Sequence, residues 1–129
     1  MTATGRGPLA DGYLSVILES MFVNVPALRA VELIATENLE VVDVRAPHER
    51  GEGIIPGARS VSLEELRRTP EAALPRDGVV FVCAAGTRSQ TAARLAVAHG
   101  LKKVYSLMGG TRGWVKSGLA LEEPLPVAV

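Results

Sequence analysis

Val79-Val80-Phe81-Val82-Cys83-Ala84-Ala85-Gly86-Thr87-Arg88-Ser89 changes character twice within a few residues. Four unbroken apolar residues come first, then a cysteine followed by small residues, then a polar triplet heading a segment with helical periodicity. An apolar run this short, with no polar alternation, reads as a strand buried on both faces. The following segment, from about Thr87 to His99, sets Ala92, Leu95, Ala96 and His99 on one side, and Gly100 supplies a C-terminal stop. Another short apolar run, Val104-Tyr105-Ser106-Leu107, reads as the next strand.

The same alternation extends outward. Pro26 suits a first helical position, Leu28, Val31, Leu33 and Ile34 give an apolar face, and Asn38 is a stop. Leu39-Glu40-Val41-Val42-Asp43-Val44 reads as a buried strand. Ser62-Leu63-Glu64-Glu65 is a capping-box sequence starting a short helix that Pro70 limits, and Gly109-Gly110 turns into a last helix near Trp114. Short apolar strands alternating with helices predict an α/β fold: an open, mainly parallel sheet flanked by helices on both faces. Residues 1–23 read as a flexible extension, residues 24–120 as the domain and residues 121–129 as an irregular tail. Within the extension, Leu14, Ile17, Leu18 and Met21 fall at helical spacing, so residues 14–22 are a candidate amphipathic helix and a candidate contact for an oligomer.

Composition narrows the function. The 129 residues suffice for one domain. Apolar residues make up 47% but aromatics only 4%, so the core must be aliphatic. Fourteen basic residues balance fourteen acidic ones, which leaves no electrostatic footprint for nucleic acid or an anionic membrane. A single cysteine forms no internal disulfide, fits a reducing compartment and excludes cysteine-rich zinc sites; His48 and His99 are too isolated to suggest a metal. The apolar stretch from Leu14 to Val25 is broken by Glu19, Ser20 and Asn24, is preceded by Asp11 and not by basic residues, and is not read as a secretion signal. No run approaches the roughly 20 apolar residues of a membrane span. A soluble, cytoplasmic protein with no cofactor is the expectation.

In an open parallel sheet, ligands bind beyond the carboxyl ends of the strands, where Cys83 lies. Ala84, Ala85 and Gly86 are small enough for the backbone to curl tightly and aim N–H groups inward. Amides gathered at a helix N-terminus make an anion site, and Arg88 adds a permanent charge at the far end of the curl. Such surroundings favour a thiolate, lowering a cysteine pKa from about 8.5 toward roughly 3.5–7.5. A lone cysteine ending an apolar strand is ordinarily a small buried hydrophobe. The C-x-x-G-x-R-S spacing at the head of a helix argues otherwise, because a filler residue needs no anion-binding loop.

Asp43-Val44-Arg45, Pro47-His48-Glu49, Gly53-Ile54-Ile55-Pro56-Gly57-Ala58, the cysteine loop and Gly109-Gly110 with Trp114 downstream occur in the order found in the rhodanese homology domain, and the chain resembles that family from about Asn24 to Gly118. The resemblance implies a cysteine at the base of a shallow bowl and a two-step reaction. Cys83 takes the sulfane sulfur of a small anionic donor such as thiosulfate, and a thiol or protein acceptor then removes it. Ala84, Ala85, Gly86, Thr87 and Arg88 would hold the persulfide and its donor, and Ser89 would cap the helix or bond to the loop. Two departures matter. Ile54 replaces the histidine usual before Ile-Pro-Gly-Ala, and Ala84 and Ala85 stand where some thiosulfate-using relatives carry basic side chains, which implies modest thiosulfate turnover.

Other residues receive plainer readings. Asp43 is a candidate to bond loop amides, Arg45 to pair with Glu49, and Arg112 to line the rim, while Trp114 reads as core and His48 and Lys102-Lys103 as surface. Two alternatives stand beside the enzyme. One is a module that carries sulfur between proteins. The other is a phosphatase of the same fold, whose loop resembles C-x5-R, where this chain has the tighter C-x4-R from Cys83 to Arg88.

Overall fold

A four-residue apolar run with no polar face must be covered on both sides, and two separate clusters of buried side chains provide that cover. The computed structural model describes residues 21–124. In chain order the elements are β1 (Val23–Val25), α1 (Ala27–Glu37), β2 (Glu40–Asp43), a 3-10 helix (Pro47–Glu52), β3 (Arg59–Ser60), α2 (Leu63–Arg68), α3 (Pro70–Ala73), β4 (Val79–Val82), α4 (Arg88–Ala98), β5 (Val104–Leu107) and α5 (Gly110–Lys116). The strands form one sheet in the order β1-β5-β4-β2-β3, with every neighbouring pair parallel. The α/β class and its parallel sheet are therefore as the alternation predicts.

Alternate residues of β4 serve the two faces. Val79 and Phe81 point with Cys83 into a cluster containing Leu63 and Leu66 of α2 and Ala92, Ala93 and Ala96 of α4. Val80 and Val82 point the other way, toward Ala27, Ala30 and Leu33 of α1 and Trp114 of α5. Ala92, Ala93 and Ala96 are fully buried and let α4 pack close to the sheet. β4 is the middle strand, so the loop leaving its carboxyl end is framed by the ends of β2 and β5.

Local signals explain most boundaries. Asn38 ends α1 in the left-handed conformation, at φ 52°, and donates its N–H to the Ile34 carbonyl. Ser62 caps α2 by accepting from the Glu65 amide at 3.1 Å, and Glu65 returns the bond to the Ser62 amide at 3.2 Å. Elsewhere the structure corrects the pattern. Pro26 is the residue before the first turn of α1, not within it, and Pro70 opens α3 as well as closing off α2. His99 faces solvent at the end of α4. Val23, at the end of the expected extension, pairs with Tyr105 in the sheet. Of the expected helix over residues 14–22, only Met21 and Phe22 are described and neither is helical; the rest lies outside the described residues. Beyond α5 the chain forms one antiparallel bridge, with Glu122 and Ile54 exchanging N–H···O bonds of 2.8 Å, so buried Ile54 has a structural place.

The end of β2 carries an ion pair absent from the spacing-based expectation. Arg45 does not pair with the Glu49 carboxylate. Its guanidinium meets Asp43, with Nη2 2.7 Å from Oδ2 and Nε 3.0 Å from Oδ1, and both side chains are almost wholly buried. Arg45 also donates to the carbonyls of Gly53 at 2.8 Å and Glu49 at 3.2 Å, which ties the 3-10 helix to the sheet. Asp43 Oδ1 also accepts the Arg45 amide at 3.0 Å, so its side-chain bonds go to Arg45 and not to the amides of the cysteine loop. Removing one member of a buried, fully bonded pair strands the other's charge. Arg45→Leu is expected to cost about 3–5 kcal/mol, and Asp43→Leu/Arg45→Leu to cost less than that, both read from urea unfolding midpoints.

Candidate active site

Because β4 ends at Val82, the chain must leave the sheet at Cys83 and reach the first turn of α4 by Arg88. Small residues make that possible. Gly86, at φ 104°, turns the loop back, and its amide lies 3.1 Å from Cys83 Sγ. The Ser89 amide approaches the same sulfur at 3.3 Å. The side chain of Ser89 completes the cup, with Oγ 3.6 Å from Sγ. Two amide donors, one from the loop and one from the first turn of α4, thus face the sulfur, whose thiol is placed to donate to Ser89 Oγ.

The cup is tighter than a shallow bowl implies. Cys83 is 1% exposed and packs with the aliphatic cluster on one side. Burial pushes its thiol pKa up, but the Ser89 hydroxyl and the amides of Ser89, Gly86 and Ala85 outweigh it and hold the thiol below its ordinary value. Ala84 is half-buried, Ala85 and Thr87 are exposed, and Gly86 and Ser89 are buried. Thr87 already has helical backbone angles and caps nothing with its side chain.

The loop is braced from behind. Thr111 and Arg112 donate their amides to the carbonyls of Cys83 and Ala84 at 2.8 and 3.1 Å. Such close approach requires Gly110: a Cβ there would lie 2.3 Å from the Cys83 carbonyl oxygen. Gln90 Nε2 holds the Gly86 carbonyl at 2.9 Å. Ser89 Oγ has a second partner, Ser106 Oγ, 2.8 Å away and fully buried on β5. Of these bracing residues, Ser106 is read from the sequence only as part of a strand, and Gly110 only as part of a turn into the last helix. The available signals were a serine inside an otherwise apolar strand and the second residue of a glycine pair.

Arg88 differs from the expected donor-facing cation. Its Nη1 and Nη2 bind Glu49 Oε1 and Oε2 at 2.6 and 2.8 Å, a bidentate pair across the mouth of the loop. Glu49 is further fixed by the Ala46 amide at 3.0 Å. The Arg88 bond, opposed by burial and aided by the Ala46 amide, lowers the Glu49 pKa to about 2. Glu49 in return raises that of Arg88. Beside this pair lies a cavity of about 210 Å3 lined by Val44, Pro47, Ser62, Leu63, Glu64 and Arg88. A more apolar groove of about 400 Å3, lined by Val31, Ile34, Ile55, Pro56, Trp114 and Leu119, includes no residue of the cysteine loop. Arg112 is exposed on α5, Trp114 is core and donates Nε1–H to the Ala120 carbonyl at 2.9 Å, and His48 is at the surface. Among the described residues no cluster of His, Cys, Asp or Glu is arranged to hold a metal, and no helix is long and apolar enough to cross a membrane.

Two pH effects follow from these contacts. Ser106→Ala leaves the Ser89 hydroxyl without its inward partner, and Ser89→Ala removes a donor to sulfur. Both are expected to move thiolate formation to higher pH, read from the pH profile of alkylation by iodoacetamide. The Glu49 pKa is depressed in the folded protein, so its contribution to stability is complete above the ordinary 4.5 and lost as pH falls through about 2. The melting-temperature gap between the native chain and Glu49→Gln is therefore expected to be constant above that window and to close within it.

Known sulfurtransferases are similar to this chain over most of its length. A sulfurtransferase of Allochromatium vinosum is 33% identical over 93 residues, covering 71% of this chain and 86% of its own length. The thiosulfate sulfurtransferase GlpE of Coxiella burnetii is 33% identical over 94 residues, covering 73% and 88%. The crystal structure of a rhodanese-related protein from Thermoplasma volcanium superimposes with a TM-score of 0.68 at 29% identity, covering 78% of this chain and 97% of its own. The family model for the Rhodanese-like domain matches residues 27–117, from the first turn of α1 to the end of α5, and the chain belongs to that family.

Proposed function

We propose that this protein is a sulfurtransferase that carries sulfane sulfur as a persulfide on Cys83. The observation that carries the proposal is the convergence of the Gly86 and Ser89 amides on Cys83 Sγ, with the Ser89 hydroxyl beside them. These groups favour the ionised sulfur before any substrate arrives, so the nucleophile needs no neighbouring base. In the first step the thiolate attacks the outer sulfur of the donor. With thiosulfate, the Sγ–S bond forms as the S–S bond breaks, and sulfite leaves with the electron pair. The persulfide anion extends the charge by one sulfur, toward the rim formed by Ala84, Ala85, Gly86, Thr87 and Arg88, where fixed backbone dipoles stabilise it without reorganising. In the second step an acceptor thiolate, free or on a protein, attacks that outer sulfur and releases the Cys83 thiolate.

The relatives' names as sulfurtransferases support the reaction class. The spacing of the loop supports sulfur over phosphate, because the turn from Cys83 to Arg88 closes tightly on one sulfur atom and its arginine is engaged by Glu49. The even charge balance favours small donors and thiol or protein acceptors over nucleic acid, and one thiol kept reduced fits the cytoplasm.

Intact-mass measurement after incubation with sulfane donors tests the reading. The expected product gains one sulfur atom, loses it to a reducing thiol, and fails to form in Cys83→Ser. No gain with any sulfane donor, or phosphate release from an aryl phosphate without sulfur loading, would overturn it.

A further inference from the structure

Sulfur donors differ sharply in charge, and the one arginine of this loop stands beside two carboxylates, Glu49 and Glu64. Thiosulfate is a dianion. A persulfide of an uncharged thiol carries one negative charge at most. A site that favours the dianion needs a cation with its charge uncancelled. Arg88 lies at the end of the cysteine loop, lines the adjoining cavity and is the only arginine or lysine of that loop. Both of its Nη groups are held by Glu49, whose second anchor at the Ala46 amide fixes the carboxylate in place. A second carboxylate-bearing side chain stands in the same region, since Glu64 lines the cavity with Arg88. The remaining walls are Val44, Ala46, Pro47, Ser62 and Leu63, none of them cationic.

We propose that Glu49 is a specificity-determining residue: by holding Arg88 in a bidentate pair it cancels the loop's cation and turns the site from dianionic donors toward low-molecular-weight persulfides of small charge. This rests on the persulfide chemistry proposed above and adds the donor class. With such a donor, R–S–SH, the Cys83 thiolate attacks the outer sulfur, the Sγ–S bond forms, and the donor's S–S bond breaks. The thiol R–SH departs with the electron pair and takes the proton, leaving the Cys83 persulfide anion. No charge beyond that of the incoming sulfur has to be neutralised, so the amide cup suffices and Arg88 can remain with Glu49.

Glu49→Gln keeps the shape and an acceptor for Arg88 while removing the negative charge. Loading of Cys83 from thiosulfate and from β-mercaptoethanol persulfide is to be followed by rapid-quench mass measurement, with KM and kcat separated for each donor. The expected result is a thiosulfate-to-alkyl-persulfide ratio of kcat/KM raised about five- to tenfold, mainly through a lower thiosulfate KM, as one uncovered charge near the surface would give. The gain is expected to vanish in Glu49→Gln/Arg88→Gln, and Glu49→Asp is expected to stay near the native ratio. An unchanged or lowered ratio in Glu49→Gln, or a gain that survives loss of Arg88, would overturn the proposal. A measurement on the unaltered chain tests it independently of folding: thiosulfate loading is expected to vary little with ionic strength, whereas a steep fall with added salt would reveal an uncancelled cation and count against it. Failure to load from either donor would sink the sulfurtransferase reading itself, whereas loading from both with no change in ratio would sink only the role of Glu49.

Discussion

Two carbonyls on one side and one sulfur on the other hold the cysteine loop in its curl. The Thr111 and Arg112 amides grip the carbonyls of Cys83 and Ala84 from α5, and the Gly86 and Ser89 amides then have little choice but to face Sγ. That grip depends on Gly110, where even a methyl group would meet the Cys83 carbonyl at 2.3 Å. Without this back-to-back contact the loop would be an ordinary turn, and the cysteine another small apolar residue beneath α4.

The interior behind the sulfur is arranged to keep the cup polar inside an aliphatic core. Ser89 and Ser106 are both fully buried, and they satisfy one another while one of them faces Sγ. A buried hydroxyl without a partner costs free energy, so each serine justifies the other. With the loop amides, Ser89 thereby holds the thiol pKa below its ordinary value although burial opposes it. The groups that lower the thiol pKa are chiefly short-range hydrogen-bond partners. This is consistent with Arg88 being spent on Glu49.

The neighbouring ion pairs divide the labour differently from what sequence spacing implies. Arg45 lies four residues before Glu49, a helical spacing, but β2 and the 3-10 helix are not one helix, and the buried Asp43 carboxylate has the stronger claim on that guanidinium. Glu49 is left facing the mouth of the site, where it meets Arg88, 39 residues away in the chain. One pair fastens the end of β2, and the other ties the 3-10 helix to the arginine at the end of the cysteine loop.

Much of this protein is legible in its residues one after another. The bare run Val79–Val82 has to be a strand covered on both faces, Asn38 and Ser62 mark helix ends by their own chemistry, and the small residues after Cys83 announce a tight turn beneath a helix. Those features are local, governed by backbone sterics and the short reach of a capping bond. The edge strands β1 and β3 are not legible in the same way, since Arg59-Ser60 is polar and β1 buries only Val25; each becomes a strand because a neighbour offers it hydrogen bonds. The partners of Ser89, Arg88 and the Cys83 carbonyl come from β5, the 3-10 helix and α5, far along the chain, and only the folded sheet brings them within bonding distance. Sequence determines which residue is the nucleophile's candidate and where it turns; tertiary structure decides which charges it feels, because electrostatic and hydrogen-bond partners are set by proximity in space and not by order in the chain.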